Sequence, residues 1–262
     1  MRTALLAMCN ETYKRFMIVW DYKINVITEL VMIGVIFIGA SFFLGGGQFN
    51  PQQLDTLFLG YIVWLYARIV IMSTGGDLVG EAQAGTLEQM YMTPAPTEIL
   101  VLGRVFATLI TTTVMVFLTG IALILILGLN IPVRWEAFPV MGLTLAGLFG
   151  FALMLGGATL IFKQIEALSD LIQNALLFLT GSLLPVSHFP VWLATFARTL
   201  PITQGIDVLR GVELNGQTLT SSWFNGSLIW LIVNSALYLS IGWIVFKWGE
   251  RIARTQGSLS HY

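Results

Sequence analysis

The chain has 262 residues, of which 56% are hydrophobic and only 10% charged, and its formal net charge is −1. A soluble domain carries about 25% charged residues, so a chain of mean hydropathy +0.81 cannot cover a water-facing surface and reads as a membrane protein. The near-neutral balance leaves no basic footprint for nucleic acid, and a single cysteine, Cys9, excludes an internal disulfide.

The chain opens with residues 1–23. Leu5, Met8, Thr12, Phe16 and Trp20 fall near one helical face, Asn10, Lys14 and Asp21 share another, and Glu11 precedes Arg15 by four, a favourable helical pair. This pattern predicts an amphipathic helix lying in the membrane interface. The competing reading is a cytosolic extension of the first span. The start lacks the long apolar core and small-residue cleavage site of a removable signal.

Six apolar stretches follow, near 25–44, 55–74, 105–128, 138–162, 168–186 and 223–246. A spanning helix needs about 20 such residues. Runs such as "TTTVMVFLTGIALILILGL" lack strand alternation, so helices are expected. The predicted fold is all-α: one polytopic membrane domain over 1–262, without internal repeat or linker. With the N-terminus inside, nine of the thirteen Lys and Arg fall on the inner side. Arg134, Arg198 and Arg210 fall outside, and Arg68 lies within a span. That bias predicts a cell (inner or plasma) membrane protein with both termini cytosolic.

Arg68 lies about 3 Å from the midpoint of the second span at 1.5 Å per residue. An unpaired charge at that depth costs roughly 2.5–3.5 kcal/mol on insertion scales, so the side chain should face protein or water. Glu29, Glu166 and Asp170 are candidate partners. Arg68 is read either as a pathway or gate residue or as half of a structural ion pair.

Between the second and third spans sits a polar, turn-rich insert, "DLVGEAQAGTLEQMYMTPAPTEILVLGR". The stretch 81–92 can form about three helical turns at 3.6 residues each. Leu87, Met90 and Tyr91 make an apolar knob at i, i+3, i+4, and Glu81 and Glu88 share another face. Thr93-Pro94 ends this helix, and Thr97 is placed to cap the next. A short helix held between bends beneath the membrane is suited to docking.

The fourth span carries Gly142, Ala146 and Gly150 at four-residue spacing, with Gly156 and Gly157 beyond. This is either a close-packing face or general glycine enrichment. The fifth begins with Asp170, Gln173 and Asn174 on one face, with Thr180 deeper. That polar face points inward, or its first turn lies at the inner water boundary. After it, Pro185, Pro190 and Pro201 cut "LLPVSHFPVWLATFARTLPITQGIDVLRGVEL" into pieces too short to cross. The apolar "VWLATFARTL", with Trp192 and Phe196, has the length of a re-entrant or interfacial element, against an ordinary outer loop. The whole outer region is assigned to 187–215.

No nucleotide-binding loop, metal-ligand set or nucleophile pattern is found, so the chain is not expected to be an enzyme. A self-sufficient carrier or channel would show broken helices with ion-binding groups at the midplane, usually with a repeat, and neither is evident.

The insert resembles the coupling region of type-2 ABC exporter permeases, in which "E…GTLE…TP…E" precedes the third span. Glu81, Gly85, Thr86, Leu87, Glu88 and Pro94 carry the match, and Met90 and Tyr91 complete the knob. The likeness extends to the N-terminal helix, the six spans and "LLPVSHFPVWL…LPITQGIDVLRG". It implies a permease dimer, of identical or paralogous subunits, bound to two copies of a cytosolic ABC ATPase. The helix around 85–92 would insert into that ATPase, and the turn "FKQIEALSD" would make a smaller second contact. ATP and Mg would then be held on the ATPase, with no cofactor on this chain. The fifth span would lie beside the dimer axis, and the proline-rich outer pieces would be re-entrant. The cargo expected from such a family is a drug, lipid or lipid-linked glycan. The alternative remains a carrier or channel without an ATPase. Arg68, Asn174 and Thr180, the polar groups at membrane depth, are candidates for the transport path. Pro185, Pro190, Trp192 and Phe196 define the outer element, and lipids are expected neighbours.

Overall fold

A computed structural model describes residues 2–83, 97–162 and 166–255. Its helices are α1 (Arg2–Asp21), α2 (Lys23–Leu44), α3 (Pro51–Gln83), α4 (Thr97–Leu127), α5 (Ala137–Phe162) and α6 (Glu166–Leu179). After a 3₁₀ turn at Val186–His188 come α7 (Val191–Ala197), α8 (Thr203–Glu213), α9 (Leu219–Phe224) and α10 (Ser227–Thr255). Among the described residues there is no strand. Among the described residues, five helices are long and apolar enough to cross a membrane: α2, the Gln53–Thr74 part of α3, the Phe106–Leu127 part of α4, α5, and Ser227–Ala253 within α10.

The sixth expected span differs from its prediction. The stretch 168–186 is apolar beyond its first turns, but α6 has only 14 residues. That is about 21 Å at 1.5 Å per residue, short of a hydrocarbon core about 30 Å thick. The helix stops because Gly181 takes φ 80°, the left-handed region that glycine tolerates. The Thr180 hydroxyl turns back to the Leu176 carbonyl at 2.6 Å and lies 2.8 Å from the Ser182 hydroxyl. Pro185 then holds the chain extended, with φ −54° and ψ 139°.

Helix α3 is the axis of the molecule and touches α4, α5, α6 and α8. Tyr61, Trp64 and Leu65 on it are fully enclosed. Phe37 of α2 and Tyr61 stack with ring centres 4.9 Å apart, and Tyr61 and Trp64 follow at 5.1 Å. Buried Tyr and Trp need partners for their polar ends. The Tyr61 hydroxyl donates to the Ile33 carbonyl at 2.7 Å, and Trp64 Nε1 donates to the Gln173 carbonyl of α6 at 2.7 Å. These bonds tie α2 and α6 to α3. Helix α2 otherwise buries only Ile33, Phe37 and Ser41.

Helices α5 and α10 make the longest pairing in the molecule. They run parallel: Gly147 meets Ser235, Gly150 meets Tyr238 and Leu239, and Gly157 meets Val245 and Phe246. The expected face at Gly142, Ala146 and Gly150 is displaced, since a Cβ on Gly142 would meet nothing within 4 Å. Gly150 and Gly157 are seven apart, as are their neighbours Gly242 and Gly249. A seven-residue repeat keeps two gently supercoiled helices in register along their length, whereas a four-residue stripe drifts off the seam.

At the N-terminus, α1 joins α2 with almost no break. Tyr22 N–H donates to the Ile18 carbonyl at 3.0 Å, and Val26 N–H donates to the Tyr22 carbonyl at 3.0 Å. Helix α1 lies along α4. Glu11, Thr12, Arg15 and Val19 form its half-buried stripe, while Phe16, Met17 and Trp20 are exposed.

Candidate functional site

The sequence singles out Arg68, and the structure places it one turn beyond Trp64 on α3. Its guanidinium lies over the indole, 5.8 Å from the ring centre, within cation–π range. Glu29 and Asp170, two of the three expected counter-ions, form no ion pair with it. The side chain of the third, Glu166, lies outside the described residues. Asp170 instead accepts from Gln173 Nε2 at 2.7 Å. Arg68 Nε and Gln173 Oε1 are both buried without a hydrogen-bond partner among the described residues. Trp64 thus stands between a charge and an amide that each keep unspent bonding capacity, where the α3–α6 contact is made.

The three candidate path residues do not converge. Asn174 is exposed on α6 and donates to the Asp170 carbonyl at 2.8 Å. It shares an open face with Leu171 and Phe178. Thr180 is fully buried and is consumed in ending α6. Arg68 is half-buried. Helix α6 therefore carries one amide on a mostly apolar open face, and α3 carries a cation over an aromatic ring.

Beyond α6 the outer region folds as the prolines dictate, in separate short pieces. Pro190 precedes α7, on which Val191, Trp192 and Phe196 are exposed, Trp192 by 72%. Pro185 sets the extended turn before Val186. Helix α8 returns into the bundle and packs on α5, α3 and α10. Gly205 lets it close on Thr144, which a Cβ would overlap. Three α10 side chains fasten the link between α7 and α8. Asn234 Nδ2 and the Tyr238 hydroxyl both donate to the Thr199 carbonyl, at 3.1 and 2.9 Å, and Trp230 Nε1 donates to the Arg198 carbonyl at 3.1 Å.

Arg210, read from sequence only as one of the outer basic residues, is the principal clasp of this region. It is 7% exposed. Its Nε donates to the Thr56 carbonyl of α3 at 2.9 Å, and its Nη2 donates to the Ser182 carbonyl at 3.2 Å. Gly60 makes the space, since a Cβ there would overlap both Ser182 and the guanidinium. The two carbonyls offset the burial of the Arg210 guanidinium. Glu213, at the end of the same helix, accepts from the Arg134 backbone N–H at 3.1 Å. The available sequence signal was the run Asp207, Arg210, Glu213 at three-residue spacing between apolar residues: charges buried on one short helix need partners elsewhere.

The docking residues fall differently. Glu81 is on the last turn of α3, which runs on through Asp77 without a break at the start of the insert. Gly85, Thr86, Leu87, Glu88, Met90, Tyr91 and Pro94 lie outside the described residues, as does most of the "FKQI" half of the second inner turn.

A chain whose described residues form helices without strands, several of them long and apolar, with short proline-bounded pieces near its C-terminal part, is a polytopic membrane protein. Residues 3–214 match the model of the ABC-2 type transporter family, and the chain belongs to that family. It is also 27% identical over 177 residues to the "Probable doxorubicin resistance ABC transporter permease protein DrrC" of Mycobacterium tuberculosis strain CDC 1551 / Oshkosh, a match covering 64% of this chain and 62% of the relative. The protein of the same name from strain ATCC 25618 / H37Rv matches to the same extent. The matched region thus spans under two thirds of these relatives' length.

Proposed function

We infer that this chain is the membrane-spanning permease subunit of an ATP-driven exporter. The carrying observation is the family match across residues 3–214 on a chain with five long apolar helices. Helix α6 makes a sixth, shortened crossing, completed by the non-helical residues 180–185. Both termini are then cytosolic, and the loop end carrying α7, α8 and α9 faces outward. Helix α8, at about 16 Å for 11 residues, enters the membrane from outside and leaves on the same side. Its backbone is tolerated there because α3, α5 and α10 cover it.

A second permease subunit, identical or paralogous, sits against the exposed Leu171, Asn174 and Phe178 of α6. Two copies of a cytosolic ABC ATPase dock on the 81–92 segment at the end of α3, and ATP and Mg are bound and used there. Helix α3 links that dock to Arg68 by an unbroken helix, so ATPase movement reaches the Arg68–Trp64–Gln173 contact directly.

The cargo is amphiphilic and leaves from the cytosol or inner leaflet. The named drug-resistance relatives and the chain's own groups support this. Arg68 and Asn174 offer a little polarity at membrane depth, while Trp192 and Phe196 offer apolar surface at the outer end. No ring of carboxylates that could replace an ion's hydration shell is found among the described residues.

The decisive experiment is co-purification with a nucleotide-binding subunit, followed by drug- or lipid-stimulated ATP hydrolysis. Leu87→Asp and Glu88→Lys should uncouple hydrolysis from transport while leaving the permease inserted, because an unpaired charge in an apolar contact costs several kcal/mol. Normal ATPase binding and full transport in both variants would refute the docking role. In a Cys9→Ser background, Gln48→Cys should label only from outside and Glu88→Cys only from inside, and the reverse pattern would overturn the topology.

A further inference from the structure

Helices α2 and α3 are antiparallel neighbours joined by a short turn, across which Gln53 Nε2 donates to the Leu44 carbonyl at 3.0 Å. Each carries one charge at membrane depth. Glu29 lies six residues in from Lys23, where the apolar stretch of α2 begins. Arg68 lies six residues in from Thr74, where that of α3 ends. Those two ends share one side of the membrane, so both charges sit about 9 Å in from it at 1.5 Å per residue.

The faces that carry them are also turned to one another. Arg68 is seven residues from Tyr61, two turns along nearly the same face of α3, and the Tyr61 hydroxyl meets the Ile33 carbonyl of α2. Glu29 is one turn inward of Ile33. Yet Glu29 and Arg68 form no ion pair, and Glu29 makes no hydrogen bond among the described residues. Helical side chains lean toward their own N-terminus, so on antiparallel helices the two lean apart. The guanidinium accordingly lies outward, over the Trp64 ring, and its Nε is buried without a hydrogen-bond partner. Trp64 is held from the other side by its bond to Gln173. The buried residues of α2, Ile33, Phe37 and Ser41, all lie outward of Glu29, so no buried side chain of α2 anchors that helix at the level of its carboxylate.

We propose that Glu29 and Arg68 are the two halves of a switchable latch. In one state, the one in this structure, the guanidinium rests on Trp64. In another it pairs with the Glu29 carboxylate and ties the inner part of α2 to α3. Each arrangement has its own return: the first keeps the cation–π contact, and the second neutralises two charges at membrane depth. The exchange needs a new Arg68 rotamer and a small approach of α2, not a new fold. The drive for it rests on the exporter reading. Helix α3 runs unbroken from Arg68 to Gln83, so movement at its inner end biases a two-state element.

A double-mutant cycle in two states tests it. Glu29→Gln, Arg68→Gln and the two together are purified with their co-purifying subunits, and Tm is measured without nucleotide and after trapping with MgATP and vanadate. In one form the two shifts should add. In the other the double variant should lose about 2–4 °C less than the sum of the singles. Additivity in both forms would overturn the pair, and equal departure from additivity in both would make it a permanent bridge and overturn the switch. Charge exchange gives a second measurement that needs no ATPase: the yield of inserted protein. Glu29→Arg or Arg68→Glu alone sets like charges against each other and should lower that yield, while the two together should restore it. The same yield in all three variants would overturn the pair. If no ATPase subunit co-purifies with the unaltered chain, the exporter reading fails, and the exchange of charges still decides whether the two residues meet.

Discussion

Two sides of the bundle solve the same problem in opposite ways. On one side, α5 and α10 meet backbone to backbone: a Cβ on Gly242 would overlap the Gly150 carbonyl, and one on Gly249 would overlap that of Gly157. On the other, α2 and α4 enclose an apolar groove of about 280 Å³, lined by Ile27, Val31, Gly34, Leu118, Ala122 and neighbours. There a Cβ on Gly34 would find Leu123 at 3.9 Å, an ordinary contact, and one on Gly39 would find nothing. Lipid is as apolar as leucine, so burying leucine against leucine drives little association, and close backbone approach must supply the adhesion. The α5–α10 side is built to stay together. The α2 side has no such backbone contact with α4, and its outer face is left largely exposed.

The largest expected effect tests the tight side. Gly242→Leu forces a side chain into the Gly150 backbone, which cannot give way as a flexible side chain would. Overpacking of cores costs typically about 1–3 kcal/mol, and occasionally more; this contact should fall at or beyond the upper end. Fluorescence-detected size exclusion should show aggregated or degraded protein in place of a monodisperse peak. A monodisperse, wild-type-like profile would mean that the two helices are not in backbone contact.

Next is the Arg210 clasp, which fixes α8 to α3 on that same side. Arg210→Met keeps the stem and removes both charge-assisted bonds, leaving the Ser182 carbonyl without its donor. Bonds to charged groups are worth roughly 1.5–3 kcal/mol each in mutational series, but the Nη2 bond, at 3.2 Å, is at the long end of the range and weak, so the two together should count for little more than one. Denaturation in mixed micelles should show a loss of about 2–3 kcal/mol. Arg210→Lys, which can reach only one of the two carbonyls, should fall between. Equal stability in all three would show that the two bonds contribute nothing.

Much of this was legible from sequence, for identifiable reasons. Long apolar runs placed five of the six expected spans on long helices of the described residues, because lipid admits no alternative to internal backbone hydrogen bonding. Prolines at 185, 190 and 201 announced the short outer pieces. The length of α6 was not legible, because hydropathy cannot distinguish a helix from an apolar segment turned aside at Gly181. The seam of α5 was misplaced because a sequence shows which glycines exist, not which of them face a partner. Arg210 stayed hidden because its acceptors are main-chain carbonyls at Thr56 and Ser182, which carry no sequence signature. The polar face of α1 read at Asn10, Lys14 and Asp21 is exposed, while the pair Glu11 and Arg15 lies half-buried on the stripe of the helix that runs along α4.

Arg68 sits at the boundary between the two sides. If it served as half of a structural ion pair, removing it would strand a buried carboxylate and lower the yield of inserted protein. The described acids Glu29 and Asp170 are not so paired. With these two unpaired, Arg68→Leu should insert as well as wild type or better, since it removes an intramembrane charge; a drop in inserted protein would point to a structural pair, with Glu166 the candidate to test next. Basal ATP hydrolysis of the complex should change little, while amphiphile-stimulated hydrolysis falls on the order of tenfold, a loss of about 1.4 kcal/mol of coupling. Asn174→Leu should act in the same direction. Wild-type stimulation in both variants, at normal expression, would move the route elsewhere.

The smallest effect is expected on the open side. Gly34→Leu makes the same chemical change as Gly242→Leu, in a helix equally apolar, yet the new side chain enters the α2–α4 groove instead of a neighbouring backbone. Its first atom meets Leu123 at a normal separation, and the groove has volume for the rest. Replacing glycine in a helix also removes a backbone-entropy cost of roughly 0.5–1 kcal/mol, which offsets any crowding. The size-exclusion profile should match wild type, with stability within about 0.5 kcal/mol. Because the two substitutions are identical in volume, hydrophobicity and propensity, a difference between them can arise only from what each side chain meets. A collapse of Gly34→Leu as complete as that of Gly242→Leu would mean that α2 is clamped as tightly as α10. The contrast between a pair in backbone contact and a helix without it would then be lost.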